Sequence, residues 1–130
     1  MSRGLCPCGS GASYDACCGR LHRGLARAAT AEELMRSRYA AFVAGDAAYL
    51  LATWHPATRP ATLDLDASVR WTGLEVLARE AGGPEDRRGV VEFRASFVED
   101  GRPRALHEVS RFRRDADGWQ YVRGKATWTG

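Results

Sequence analysis

No apolar run in the sequence approaches the ~20 residues that a membrane-spanning helix needs. Met1-Ser2-Arg3-Gly4-Leu5-Cys6 also lacks the apolar stretch of a secretory signal. The expected location is therefore the cytoplasm. Cysteine is absent after position 18, so no disulfide framework can staple the body of the chain. There is no internal repeat and no low-complexity tract, and Lys125 is the only lysine among 19 basic residues. The arginine bias is uniform along the chain, so it reads as genomic base composition and singles out no phosphate-contacting patch. Charge of one sign is not in excess either. The net charge of +3 is local, because Arg3, Arg20, Arg23 and Arg27 face Asp15 alone between residues 3 and 27 and the rest of the chain balances. A near-neutral body argues against nucleic-acid binding.

The 130 residues are 45% apolar, 27% charged and 9% aromatic, the profile of a soluble globular protein. Four Trp, four Phe and four Tyr suffice for a core without disulfides at this length. All four cysteines fall in one short segment, Cys6-Pro7-Cys8-Gly9-Ser10-Gly11-Ala12-Ser13-Tyr14-Asp15-Ala16-Cys17-Cys18. In a reducing compartment, thiols delivered as two close pairs suit a tetrahedral soft-metal site, with zinc the first expectation and iron also accommodated by four sulfurs. Pro7 stiffens the first pair, and Gly9 and Gly11 permit backbone conformations that a tight knuckle requires. Four thiolates around a divalent ion leave a formal charge of −2, which the flanking arginines can offset. Because Cys17 and Cys18 are adjacent, ligation by both competes with a set in which His22 supplies one ligand or one cysteine packs as a small apolar residue.

The segment Cys6-Pro7-Cys8-Gly9-Ser10-Gly11 with Tyr14 and Cys17-Cys18-Gly19 resembles the SEC-C motif, named for the metal-binding tail of the SecA preprotein translocase ATPase. Leu34-Met35-Arg36-Ser37-Arg38-Tyr39, Thr53-Trp54-His55-Pro56, Val91-Glu92-Phe93 and Ser110-Arg111-Phe112 extend the resemblance to the bacterial YchJ family of metal-binding proteins. The resemblance implies Cys6, Cys8, Cys17 and Cys18 as metal ligands; position 12 is Ala where the motif commonly has Lys. It also implies a cone-shaped, cystatin-like α+β domain similar to nuclear transport factor two. Residues 1–24 would be the knuckle and its linker, and residues 25–130 the α+β domain. The SecA tail docks an export chaperone, so the resemblance implies a protein partner for the knuckle. The fold itself hosts enzymes, carriers and interaction modules alike.

Periodicity read independently leads to the same order of elements. Thr30-Ala31-Glu32-Glu33 is a capping box, and Met35, Tyr39, Phe42 and Val43 recur at helical spacing, which predicts a helix over 31–44. Gly45 ends it, and Asp46 caps a second helix with Tyr49, Leu50, Leu51 and Trp54 on its apolar side before His55-Pro56. Gly19 to Ala29 reads as a linker. Alternating runs near 68–80, 89–98, 104–113 and 119–125 predict four strands, joined at Gly82-Gly83-Pro84, Asp100-Gly101 and Asp117-Gly118. The fold class is α+β, a helix pair packed on one face of a curved antiparallel sheet.

Strand alternation puts Val91, Phe93, Ala95 and Phe97 on one face, and Leu106, Glu108, Ser110 and Phe112 on another inward face. Glu108 then needs a partner, and Arg36 or Arg38 from the first helix is the expected one. A candidate pocket lined by Arg36, Arg38, Tyr39, Trp54, Glu108 and Ser110 would admit a small-molecule ligand, with Glu108 as acid/base if it is catalytic. His55 is expected to cap the last helical carbonyls, and His107 lies on the face opposite Glu108, so the two form no dyad. No nucleophile, base and orienter come together in the sequence, which weighs against an enzyme and assigns no catalytic residue. The reading is a metal-binding accessory or adaptor protein, with a pocket enzyme or ligand binder as the alternative.

Overall fold

The computed structural model describes residues 4–129. A five-residue helix, α1 (Cys18–His22), precedes α2 (Ala31–Ala44) and α3 (Ala47–Ala52), and four strands follow: β1 (Val69–Ala81), β2 (Arg88–Glu99), β3 (Arg102–Asp115) and β4 (Gly118–Thr129). The strands form one antiparallel meander in the order β1-β2-β3-β4. Among the described residues, no helix is long and apolar enough to cross a membrane.

The α2 boundaries follow from its ends. The Thr30 side chain accepts from the Glu33 amide at 3.1 Å, and Gly45 sits in the left-handed region at φ 73°. The return half of the capping box goes elsewhere, since Glu33 Oε1 accepts from the Ala29 amide at 2.7 Å rather than from Thr30. Asp46 caps α3 through the Tyr49 amide, and α3 stops at Ala52, short of Trp54. His55 does not cap helical carbonyls. Its Nδ1 accepts from the Ala57 amide at 3.0 Å and shapes the turn that follows.

Val91, Phe93, Ala95 and Phe97 turn inward with Leu106 and Phe112, and meet Leu34, Met35 and Tyr39 of α2 in one core. Register shifts between Trp71 and Gly73 and between Val76 and Ala78 in β1, and opposite Arg111/Phe112 in β4, curve the sheet around the helix. The β1–β2 hairpin also holds the start of α2, because the Ala31 amide donates to Gly82 O at 2.9 Å. A Cβ on Gly89 would lie 2.6 Å from Gly82 Cα and 2.9 Å from Ala31 Cβ. Gly89→Ala is therefore expected to force hairpin and helix apart and to cost about 3 kcal/mol, the upper end for overpacking. Urea unfolding measures it, and a midpoint equal to the parent's would show that the hairpin yields freely.

Candidate metal centre and ligand cavity

The knuckle is a hairpin closed by a helix start. The Cys6 amide donates to Ala12 O at 2.8 Å and the Tyr14 amide to Gly4 O at 3.4 Å, with Leu5 bridging Ser13. Gly9 and Gly11 take φ of 84° and 89° at the turn, conformations that a side chain would oppose. The chain then doubles back so that Cys17 and Cys18 enter α1 beside Cys6 and Cys8. Gly19 is required at that entry, because a Cβ there would sit 2.8 Å from Tyr14 O and 2.9 Å from its ring.

All four sulfurs lie within 4.8 Å of one another, and none is in a disulfide. Cys8 Sγ is 3.7 Å from Cys17 Sγ, and Cys17 Sγ is 4.0 Å from Cys18 Sγ. A tetrahedron with metal–sulfur bonds of ~2.3 Å has edges of about 3.8 Å, so these separations are those of a ligand set. The donor chemistry fits as well. Hydrogen bonding from Cys18 pulls the Cys8 thiol down to about 4, the same contact pushes Cys18 up, and burial pushes Cys6 up. Four thiols this close lose all their protons together only when a cation offsets the charge.

His22 is not part of this set. Its Nε2–H donates to Ser37 O at 2.8 Å, and its Nδ1 meets the Tyr14 hydroxyl at 2.6 Å, which makes it a strut from the knuckle to α2. The arginines flanking the cysteines are also engaged elsewhere. Arg20 pairs with Glu33, Arg23 with Asp15, and Arg27 donates to Ala116 O; Arg3 lies outside the described residues. The stretch expected as a linker thus contains α1 and its braces. Arg36, placed in the pocket by the sequence reading, instead points to the knuckle. It donates to Cys8 O at 2.6 Å and to Glu32 at 2.9 Å, where Arg79 also pairs.

Between α2 and the concave face of the sheet lies a cavity of about 260 Å³. Arg38, Tyr39, Trp54, Glu108 and Ser110 all line it. Glu108 makes no direct ion pair with an arginine among the described residues, and Arg38 feels its charge only across the cavity. Glu108 Oε2 accepts from the Ser110 hydroxyl at 2.6 Å and the Tyr121 hydroxyl at 3.2 Å. Arg38 is 6% exposed and donates to Leu50 O and Thr53 Oγ1 at 2.7 and 2.6 Å. Its guanidinium carbon sits 4.6 Å from the Tyr121 ring centroid and 5.3 Å from that of Trp54. Burial brings the Arg38 pKa down to about 10, which leaves it cationic at neutral pH. Burial, reinforced by the charge of Glu108, raises Tyr121 and keeps its hydroxyl a donor. On the outer face His107 meets Glu92 at 2.6 Å, away from the cavity.

Comparison with known proteins matches residues 30–124 to the family described as YchJ, middle NTF2-like domain, and residues 5–20 to the SEC-C motif. The chain belongs to the YchJ family. Its relatives include a UPF0225 protein of Streptomyces coelicolor, 58% identical over 120 residues that span 92% of this chain and 94% of the relative. Another, from Chromobacterium violaceum, is 50% identical over 128 residues, spanning 95% and 94%. The solution structure of a SEC-C motif containing protein from Rhodopseudomonas palustris is similar with a TM-score of 0.82 at 38% identity, covering 94% of this chain and 98% of that one. A crystal structure of a SEC-C motif containing protein from Psychrobacter arcticus follows with a TM-score of 0.75 at 33% identity, covering 91% and 80%.

Two residues that shape this YchJ-family cavity, one in its wall and one behind Glu108, escape a reading by alternation. Ser110 pairs with Gly124, so unbroken pairing would set Val122 opposite Phe112. The register shift sets Tyr121 there. The α3 exit holds that shift in place, because the Tyr121 amide donates to Thr53 O and the His55 amide to Tyr121 O, at 2.8 and 2.7 Å. Gly124 is the second. A Cβ there would overlap Glu108 Oε2, so the strand gives up a side chain to seat the carboxylate. A glycine inside a strand is the sequence signal that marks such an approach.

Proposed function

We propose that this protein is a metal-binding accessory protein of the cytoplasm whose knuckle, held by one zinc ion on Cys6, Cys8, Cys17 and Cys18, serves as a docking module for another protein. The observation that carries the reading is the set of four sulfurs gathered within 4.8 Å of one another on a braced hairpin, with Cys17 at 3.7 and 4.0 Å from Cys8 and Cys18. Four thiolates complete the coordination of zinc and leave no position for substrate, so the ion supplies rigidity rather than chemistry. Docking is supported by Leu5 and Leu25, which flank the cysteine segment in sequence and leave 72% and 74% of their surface open to a partner. Metal analysis is expected to return one zinc per chain. A photo-crosslinker placed at Leu25 in cells should give a discrete protein adduct that the same group at Ser68, in the exposed turn before β1, does not. Sub-stoichiometric metal after purification in reductant, or identical adducts at both positions, would count against this reading.

A second reading, a small-ligand binder, is favoured by the cavity around Glu108. Eight of the fourteen lining residues are aromatic, from twelve in the whole chain, and such concave apolar sites with few polar groups are the usual form of ligand pockets.

A further inference from the structure

The cavity selects a ligand by size, charge and hydrogen bonding, and each can be read from its walls. An apolar cavity of about 150 Å³ accepts benzene, so the space of about 260 Å³ takes a molecule of one or two rings. The walls suit a flat one, with Tyr39, Phe42, Trp71 and Phe93 among them. Access exists, because Phe42, Trp71 and Trp128 also border a groove beside residues 63–66, and Trp128 is 54% exposed there.

Charge comes next. Among the lining side chains, only Arg38 and Glu108 are charged, one of each sign, so neither an anion nor a cation finds a net counter-charge. The two differ in what they still offer. Arg38 is stacked between two rings and hydrogen-bonded to Leu50 O and Thr53 Oγ1. Glu108 has one oxygen fully used, since Oε2 accepts from both Ser110 and Tyr121. Its Oε1 accepts no hydrogen bond among the described residues and, unlike Trp54 Nε1, is not a sealed orphan. An ionised carboxylate only accepts. Oε1 is therefore the acceptor that a donor on a ligand can meet.

We infer that the cavity binds an uncharged, planar one- or two-ring molecule that gives an N–H or O–H hydrogen bond to Glu108 Oε1, an inference that rests on the ligand-binding reading above. The hydroxyls of Ser110 and Tyr121 position the carboxylate, and Gly124 leaves the room in which it lies. Discrimination against a ligand of the same shape without the donor follows, because an unmet charged acceptor in an apolar site is costly.

The indole side chains of the protein provide the test. Trp54, Trp71 and Trp128 line the cavity, whereas Trp119 lies outside it and donates to Ala29 O. Nitrogen-15 spectra of the metal-loaded protein are recorded during titration with free indole and with benzofuran, which has the same outline but no N–H. Indole is expected to shift the side-chain signals of Trp54, Trp71 and Trp128 while that of Trp119 stays in place. Benzofuran should bind about tenfold more weakly, and in Glu108→Gln, whose amide oxygen takes the Ser110 and Tyr121 bonds and leaves an NH2 donor in the place of Oε1, that gap should close. Equal affinity for the two probes in the parent protein overturns the donor rule while leaving the cavity a ligand site. No movement of the three cavity tryptophans with either probe at millimolar concentration overturns the ligand-binding reading itself.

Discussion

Cys8→Ser is expected to abolish metal binding and to release residues 4–22 from their fold while the sheet stays formed. Cys8 is fully buried, 3.7 Å from Cys17 Sγ, and its carbonyl is gripped by Arg36. Binding of a structural zinc contributes roughly 10–16 kcal/mol at neutral pH in small knuckles, and the few braces around α1 do not replace that. Buried Cys6, Cys8 and Cys18 form a cluster of their own with Ala40, and Leu74 of β1 touches both this cluster and the core that joins α2 to the strands. The core has its own means of closure, in the capped α2, the four-stranded sheet and the aromatic wall. Emission spectrometry should therefore find metal falling from one per chain to near zero. Amide signals of residues 4–22 should collapse toward random-coil positions, and those of β2 and β3 should persist. Chelation of the parent protein should do the same. Loss of the far-ultraviolet signal of the whole chain would show instead that knuckle and body fold as one unit.

The knuckle was legible because its chemistry is local. Two cysteine pairs, a proline and two glycines within thirteen residues name both the ligand type and the turn that brings the ligands together. The first helix of the body was legible for the same reason, with Thr30 and Gly45 marking its ends. What alternation supplies is a face, and it placed Glu108 and Ser110 inward correctly. It does not supply phase across elements. Arg36 and Arg38 are two positions apart on α2 and so cannot share a direction, yet nothing local says which one turns to the sheet; the packing of Leu34, Met35 and Tyr39 decides it. Nor does it anticipate a register shift, which is fixed by pairing between Tyr121 and the chain after α3. Helix α1 is too short for periodicity to show. Its five residues hold because Tyr14, His22 and Ser37 tie them down.

Arg38 and Glu108 sit in one cavity without forming an ion pair, and their substitutions are expected to separate. Arg38→Met removes the donor to Leu50 O and Thr53 Oγ1 and the cation between the Trp54 and Tyr121 rings. Loss of the charged donor leaves Leu50 O only the long contact from the Thr53 hydroxyl at 3.4 Å, which costs about 1–3 kcal/mol, and loss of the stacked cation adds about 1 kcal/mol or more. A net destabilisation of about 3 kcal/mol follows, which lowers the melting temperature by roughly 10 °C for a domain of this size. Glu108→Gln is different. The amide oxygen still accepts from Ser110 and Tyr121, so two hydrogen bonds survive in neutral form and the cost should stay within about 1 kcal/mol. A true buried ion pair would behave otherwise, since removing either charge strands the other and costs about 3–5 kcal/mol. Denaturant melts of the two single variants and of the double variant decide the matter. Near-additive losses, with Glu108→Gln small, are the expected result. A Glu108→Gln loss as large as that of Arg38→Met, most of it recovered in the double variant, would establish that the two charges hold each other. The carboxylate would then serve the scaffold rather than the cavity.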